Sequence, residues 1–209
     1  MRGAFITLEG TEGVGKTTCL EFVLDTLSAA DIPTVVTREP GGTVLGEKIR
    51  DWILRGNHGE LSAETETLLM FAARAFHLDE IIRPALAAGR WVICDRFSDA
   101  TVAYQGGGRR ADKGWIKSLR SAVHAGLEPD LTLLLDAPVE IGLNRIRART
   151  PDHFERENRD FFVRVRAAYL ELARDEPHRI KVIDAAPSLM EVRSRISAHV
   201  ATFLGSFAC

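Results

Sequence analysis

The chain is predicted to fold as an α/β protein, a three-layer, doubly wound sandwich around a five-stranded parallel sheet. Five short apolar runs carry that expectation, at residues 4–8, 33–37, 91–94, 131–135 and 180–183. Unbroken apolar strands of this length indicate burial on both faces, as in a parallel sheet. Helix-length amphipathic segments separate the runs, and strand-helix alternation calls for right-handed crossovers. The 209 residues contain no internal repeat and no long linker, so a single domain spanning 1–209 is expected. A chain of this size buries roughly 70% of its unfolded surface and needs no covalent staple.

The elements follow in order. The first run leads through a glycine-rich stretch into a helix over 16–30. After the run at 33–37 a long helical pattern occupies 65–88 and stops at Gly89, a residue suited to the left-handed helix end. The third run, 91–94, precedes a helix over 113–125 that ends at Gly126. The fourth, 131–135, is followed by Pro138 and a helix over 139–149. Helices over 159–174 and 189–204 flank the last run. In such sheets ligands bind beyond the carboxyl ends of the strands, so the residues just after each run are the place to look for chemistry.

Composition narrows the function classes. With 27 basic and 29 acidic side chains the net charge is −2, which excludes a generic polyanion binder. The basic residues are 22 Arg and 5 Lys. Codon bias explains such a ratio; so does a need for planar forks that grip phosphate or carboxylate. Cys19, Cys94 and Cys209 suit neither a disulfide framework nor a zinc site, and a reducing compartment is expected. Apolar runs fall short of the ~18 residues of a membrane span, and the apolar start is too short for a signal-peptide core. A cytoplasmic protein with no membrane partner and no nucleic-acid polymer is expected.

The first run is followed by Gly10-Thr11-Glu12-Gly13-Val14-Gly15-Lys16-Thr17, a G-x-x-x-x-G-K-T phosphate-binding loop in the strand-loop-helix setting that the motif requires. Glycines let the backbone N–H groups wrap phosphates, and the helix that starts near Lys16 aims its positive dipole end at them. Lys16 is expected to reach the β- and γ-phosphates of ATP, and the Thr17 hydroxyl to bind Mg²⁺. No N-K-x-D guanine reader is present.

Two further strand ends carry more specific patterns. They are Thr37-Arg38-Glu39-Pro40-Gly41-Gly42-Thr43, and Cys94-Asp95-Arg96-Phe97 followed by Tyr104-Gln105-Gly106-Gly107-Gly108-Arg109. Between them lies Phe71-Ala72-Ala73-Arg74-Ala75-Phe76-His77. With the P-loop, this set closely resembles the bacterial thymidylate kinases, from Gly10 to about Asp184 and in the family's order. The resemblance implies a P-loop kinase fold, ATP with Mg²⁺ as phosphoryl donor, dTMP as acceptor in dTTP biosynthesis, and a homodimer.

Site residues follow from the same match. Asp95, at a strand end beside the P-loop strand, is placed to hold Mg²⁺ or its waters. Arg96 matches an arginine that bridges donor and acceptor phosphates, where a loose transition state needs positive charge. Arg50 matches the residue that holds the monophosphate, and Arg74 the one that meets the base. Phe71, one helical turn before Arg74, is expected to stack on the base. Thr101 and Gln105 match readers of its polar edge, and Glu12 a carboxylate near the sugar 3′-hydroxyl. Arg38 is a looser candidate for the phosphate. Ala100 stands where many relatives carry serine.

A lid is expected at about 145–157. Relatives commonly carry D-R-F-E there; this chain has Asp152-His153-Phe154-Glu155 and is one residue shorter just before it. The lid cation therefore falls to Arg149, Arg147 or Arg145, with Arg149 the chosen candidate, and Phe154 and Glu155 match positions near substrate and metal. Cys94 reads as an apolar filler, and His58, His124, His178 and His199 read as surface residues. Two alternatives remain on sequence alone. One is a P-loop kinase for another nucleotide or a nucleoside; the other is a non-catalytic ATP-binding regulatory module.

Overall fold

The structure is a computed structural model that describes residues 2–55, 61–147 and 153–207. Strands β1 (Phe5–Glu9), β2 (Thr34–Arg38), β3 (Trp91–Asp95), β4 (Leu131–Asp136) and β5 (Ile180–Asp184) form one parallel sheet in the order β2-β3-β1-β4-β5. They coincide with the five apolar runs to within one residue at each end. Burial on both faces holds for the three central strands only. β2 and β5 are edges, so Val36 is 47% exposed and Val182 46%.

Alternation along β1 divides the interior. Ile6 and Leu8 enter a cluster roofed by α1 (Lys16–Ser28) and α9 (Leu189–Phe207). Phe5 points to the other face, into a cluster with Leu78, Ile82 and Phe97. On that same face Leu134 of β4 meets Phe162, Val165 and Tyr169 of α8 (Arg159–Asp175). Each of these buried side chains contributes about 1.5–3 kcal/mol of burial. Thr7 and Thr132 would cost stability in such a core, and their hydroxyls pair at 2.7 Å.

The helix expected over 65–88 is three pieces: α3 (Ala63–His77), a π turn (Leu78–Ile82) and α4 (Arg83–Ala87). Pro84 explains the widened turn, because it lacks the N–H that would bond four residues back. Ser62 caps α3 through Thr65 N at 3.1 Å. Helix α2 (Val44–Arg55) was not anticipated, although Leu45, Ile49 and Ile53 recur at helical spacing. Nor was the continuation of α5 (Ser98–Thr101) through a π turn (Val102–Gly108). The Gly106-Gly107-Gly108 run, which reads as a loop, is helical because α8 lies against it. A Cβ on Gly107 would stand 2.6 Å from Ala168 Cβ, and one on Gly108 2.4 Å from the Phe161 ring. Helices α6 (Lys113–His124) and α7 (Val139–Ile146) complete the described set.

Candidate active site

The P-loop keeps its shape by backbone geometry. Gly10, Gly13 and Gly15 have φ of 138°, 70° and 93°, which side-chain-bearing residues rarely adopt. Gly13 also packs so closely on α7 that a Cβ would meet Gly142 O at 2.1 Å. Val14 and Thr11 are buried beneath the loop, and Val14 anchors it in the core. Lys16 Nζ donates to the carbonyls of Gly10 at 3.1 Å and Thr11 at 2.8 Å. Burial, and next the nearby Arg96 guanidinium, bring its pKa down to about 8.

Sheet register brings the next groups to the same level. Asp95 sits beside Leu8 of β1 and Arg38 of β2. Its Oδ1 is buried and has no hydrogen-bond partner among the described residues. Arg96 follows at φ 68°, an uncommon backbone conformation for arginine. Its Nη1 donates to Gly10 O at 2.9 Å, and Nη2 to Glu12 Oε1 at 3.0 Å. The guanidinium lies 4.8 Å from the centre of the Tyr104 ring, whose hydroxyl donates to Glu12 at 2.6 Å. Behind them Glu9 is fully buried. It accepts from Phe97 N and from the Tyr169 hydroxyl, each at 2.7 Å. Burial and then Asp99 raise its pKa to about 8.

The far side of the cleft is built on α3 and α5. Arg74 is 2% exposed; Nε donates to Glu39 Oε2 at 2.7 Å and Nη2 to Thr101 Oγ1 at 3.0 Å. Its Nη1 has no hydrogen-bond partner among the described residues. Glu39 Oε1 meets His77 Nδ1 at 2.9 Å, so one buried carboxylate anchors both side chains. Gln105 Nε2 donates to Glu66 Oε1 at 2.6 Å. Arg50 Nη1 donates to Pro40 O at 2.9 Å.

One cleft of about 840 Å³ is lined by both groups: Glu12, Gly13, Gly15, Lys16 and Thr17 at one end, and Arg50, Arg74, Thr101 and Gln105 at the other, with Asp95 and Arg96 among its walls. Ala100, Phe154 and Glu155 also line it. Phe71 does not. Its ring is buried with Ala111 and Ile116, under the Arg74 guanidinium at 4.7 Å, and the neighbouring Met70 forms the wall. Arg38 pairs with Glu47 at 2.9 Å and is 53% exposed, away from the cleft lining. Arg145 and Arg156 line the cleft; Arg149 and Asp152 lie outside the described residues.

His153 faces elsewhere. Its Nε2 is 3.0 Å from Arg109 Nη2 and 3.5 Å from Glu66 Oε2, and its backbone N–H donates to Leu54 O at 3.2 Å. His124 corrects the surface reading. It is 1% exposed, 4.8 Å from the Phe97 ring centre, with Nδ1 3.2 Å from Glu128. His178 is exposed and His199 half-buried; His58 lies outside the described residues. Cys94 is fully buried. Sequence reasoning missed Met70, Tyr104, Glu39, Glu66 and Arg156. A helical-wheel reading of α3 would have put Met70 four residues before Arg74 on the same face.

A P-loop at one end of a cleft and the anchored arginines Arg50 and Arg74 at the other define a protein of the P-loop kinase class. Residues 8–196 match the thymidylate kinase family model. The chain is 54% identical to the thymidylate kinase of Methylococcus capsulatus, over 97% of each chain, and 54% identical to that of Chromohalobacter salexigens, over 99% of each. The crystal structure of thymidylate kinase from Ehrlichia chaffeensis superposes with a TM-score of 0.78 at 32% identity, covering 98% of this chain and all of that one. The chain belongs to the thymidylate kinase family.

Proposed function

We propose that the protein transfers the γ-phosphoryl group of ATP to the 5′-phosphate of dTMP, giving dTDP for dTTP synthesis. The observation that carries this reading is the single cleft that joins the P-loop to the Arg74–Gln105 wall. In-line transfer to an acceptor that is already an anion needs no general base. The task is to position two anions and offset the charge on the moving group.

The residues divide that task. The N–H groups of residues 10–17 and the first turn of α1 hold the donor phosphates. Lys16 leaves the Gly10 and Thr11 carbonyls for the β- and γ-phosphates. Arg50 holds the acceptor phosphate, and Arg96, fixed between Gly10 O and Glu12, bridges the two. Arg74, Thr101 and Gln105 read the base against Met70, with Glu12 near the 3′-hydroxyl. Phe71 supports Arg74 from behind.

Mg²⁺ fits the donor set. It favours hard oxygen ligands and takes few from protein when phosphates supply others. The Thr17 hydroxyl and the Asp95 carboxylate, with its buried Oδ1, are such ligands. When bound, the ion neutralises charge on the β- and γ-oxygens. The segment around 145–157 is the proposed lid of this single domain, and Arg149, with Arg145 beside the P-loop, supplies its cation.

The protein acts in the cytoplasm; no helix among the described residues is long and apolar enough to cross a membrane. It works as a homodimer, a reading supported by family membership and by exposed Trp52, Leu68 and Phe76 on α2 and α3. The deciding assay offers dTMP, dUMP, dCMP, dAMP and dGMP with ATP and Mg²⁺. Preference for dTMP supports the reading, and preference for dCMP or a purine nucleotide overturns it. Sedimentation equilibrium tests the dimer.

A further inference from the structure

We propose that Glu66, a buried residue outside the cleft, sets the choice of base by fixing which end of the Gln105 amide faces the acceptor. This rests on the reading of Gln105 as a base reader. The oxygen and nitrogen ends of an amide are nearly equal in shape, so the hydrogen-bond network decides which end faces where. Glu66 Oε1 lies 2.6 Å from the Gln105 amide and Glu66 is fully buried. A carboxylate only accepts, so the amide must turn its NH₂ group to Glu66. The amide oxygen is then the end left for the cleft, which Gln105 lines.

The neighbouring reader is fixed in the opposite sense. Arg74 is held at Nε by Glu39 and at Nη2 by Thr101, and Nη1 is a buried donor without a hydrogen-bond partner among the described residues. Of the two planar readers, Gln105 therefore presents an acceptor and Arg74 a donor, beside the Thr101 hydroxyl that accepts from Arg74. Thymine and uracil offer the complement, an N3–H donor beside the O4 acceptor. Cytosine offers the reverse, an N3 acceptor beside an N4 amine. A site that leaves its buried polar groups unpaired against the wrong base rejects that base strongly. Glu66 touches no substrate in this scheme and is a positioning residue.

The other side of Glu66 makes the idea sharp. Arg109 Nε and His153 Nε2 both lie 3.5 Å from Glu66 Oε2. In Glu66→Gln the cation of Arg109 favours the new amide's oxygen on that side. The new NH₂ group then points at Gln105 and drives the Gln105 amide to turn over. Its NH₂ group would face the base, matching cytosine N3 and opposing thymine N3–H. Arg74 still opposes the cytosine amine, so discrimination falls without vanishing.

The test measures kcat/KM for dTMP and for dCMP, with ATP and Mg²⁺, in wild type and variants. In Glu66→Gln the dTMP-to-dCMP ratio is expected to fall at least about tenfold, through a higher KM for dTMP with the KM for ATP unchanged. Glu66→Asp keeps the acceptor and is expected to hold the ratio within about twofold. Glu66→Ala frees the amide without reversing its partner and gives an intermediate fall; it decides the matter if Glu66→Gln does not melt cooperatively. Parallel loss with both nucleotides, or an unchanged ratio, means a structural role only and overturns the proposal. A wild-type protein without preference for dTMP over dCMP removes instead the base-reading assignment beneath it.

Discussion

Replacing Arg96 separates catalytic charge from fold. The side chain is the cation held between P-loop carbonyl Gly10 O and Glu12, at 2.9 and 3.0 Å. Arg96→Ala removes that charge and leaves Glu12 held by the Tyr104 hydroxyl, a carboxylate facing the phosphates without its cation. A unit charge about 4 Å from another is worth roughly 4 kcal/mol at the effective dielectric of a protein surface. Loss of one preorganised donor commonly costs about 10²–10³ in kcat. A fall of about 10³ in kcat is expected, with ATP affinity changed less than about threefold because the P-loop is intact. The backbone supplies a control. At φ 68° alanine is strained as arginine is, and glycine is not. Arg96→Gly should therefore melt as the more stable of the two, by about 1 kcal/mol, with the same low kcat. Steady-state kinetics, ATP titration and thermal melts read the three quantities. A kcat within about tenfold of wild type refutes the bridging role, and equal losses in kcat and ATP affinity would assign Arg96 to donor binding alone.

Three other outcomes follow from the site. Lys16, with its pKa near 8, is expected to take up a proton when ATP binds above that pH; binding weakens as pH rises further, and calorimetry in buffers of different ionisation enthalpy measures the uptake. Glu9 binds its proton more tightly folded, near pH 8, than unfolded, near 4.5, so stability falls as pH rises through that window by up to about 1.4 kcal/mol per unit; Glu9→Gln should flatten the melting-temperature curve there, and an unchanged slope refutes it. Met70→Ala and Phe71→Ala should each lose about 2–5 kcal/mol of stability, because both side chains are buried, but Met70→Ala should raise the KM for dTMP more than Phe71→Ala does; the reverse order in KM would return base stacking to Phe71.

The sheet was legible because its strands are apolar runs between helices, and each run ends where the chain must leave the interior. The P-loop was legible because its glycines serve backbone shape: side-chain-bearing residues rarely adopt those φ angles, and a Cβ on Gly13 would strike Gly142 O. What failed to show has a common cause. The Gly106–Gly108 run looks like a turn and is helical because of Ala168 and Phe161, some sixty residues away. Phe71 and Met70 are adjacent, and only the packing of α6 against α3 decides that the ring joins Ala111 and Ile116 while the thioether, also buried, lines the cleft. Glu39, Glu66 and Glu9 look like ordinary surface acids in sequence; each is buried by contacts from a distant element. His124 likewise depends on Phe97 and Glu128. Local pattern reports what a residue's neighbours along the chain dictate, and these residues answer to neighbours across the fold.

The 22 arginines can now be sorted by what the guanidinium does. Arg55 pairs with Asp51 and Arg195 with Asp184 on the surface, where lysine would serve as well and either pair adds little. Arg179 uses its fork, at 2.7 and 2.9 Å on Asp99, and Arg166 at 2.7 and 2.8 Å on Asp136, so geometry as well as charge selects arginine there, for structure alone. The cleft arginines form a third group. Arg74 and Arg96 each spend part of the fork on a carboxylate or a carbonyl, and Arg74 keeps Nη1 unpaired among the described residues. A lysine, one point charge on a flexible stem, cannot be anchored and still offer a directed donor. That division of labour within one guanidinium lets Glu39 and Glu12 orient the cations that the proposed reaction needs without occupying every donor, and it is why arginine rather than net charge marks the site in a chain whose overall charge is only −2.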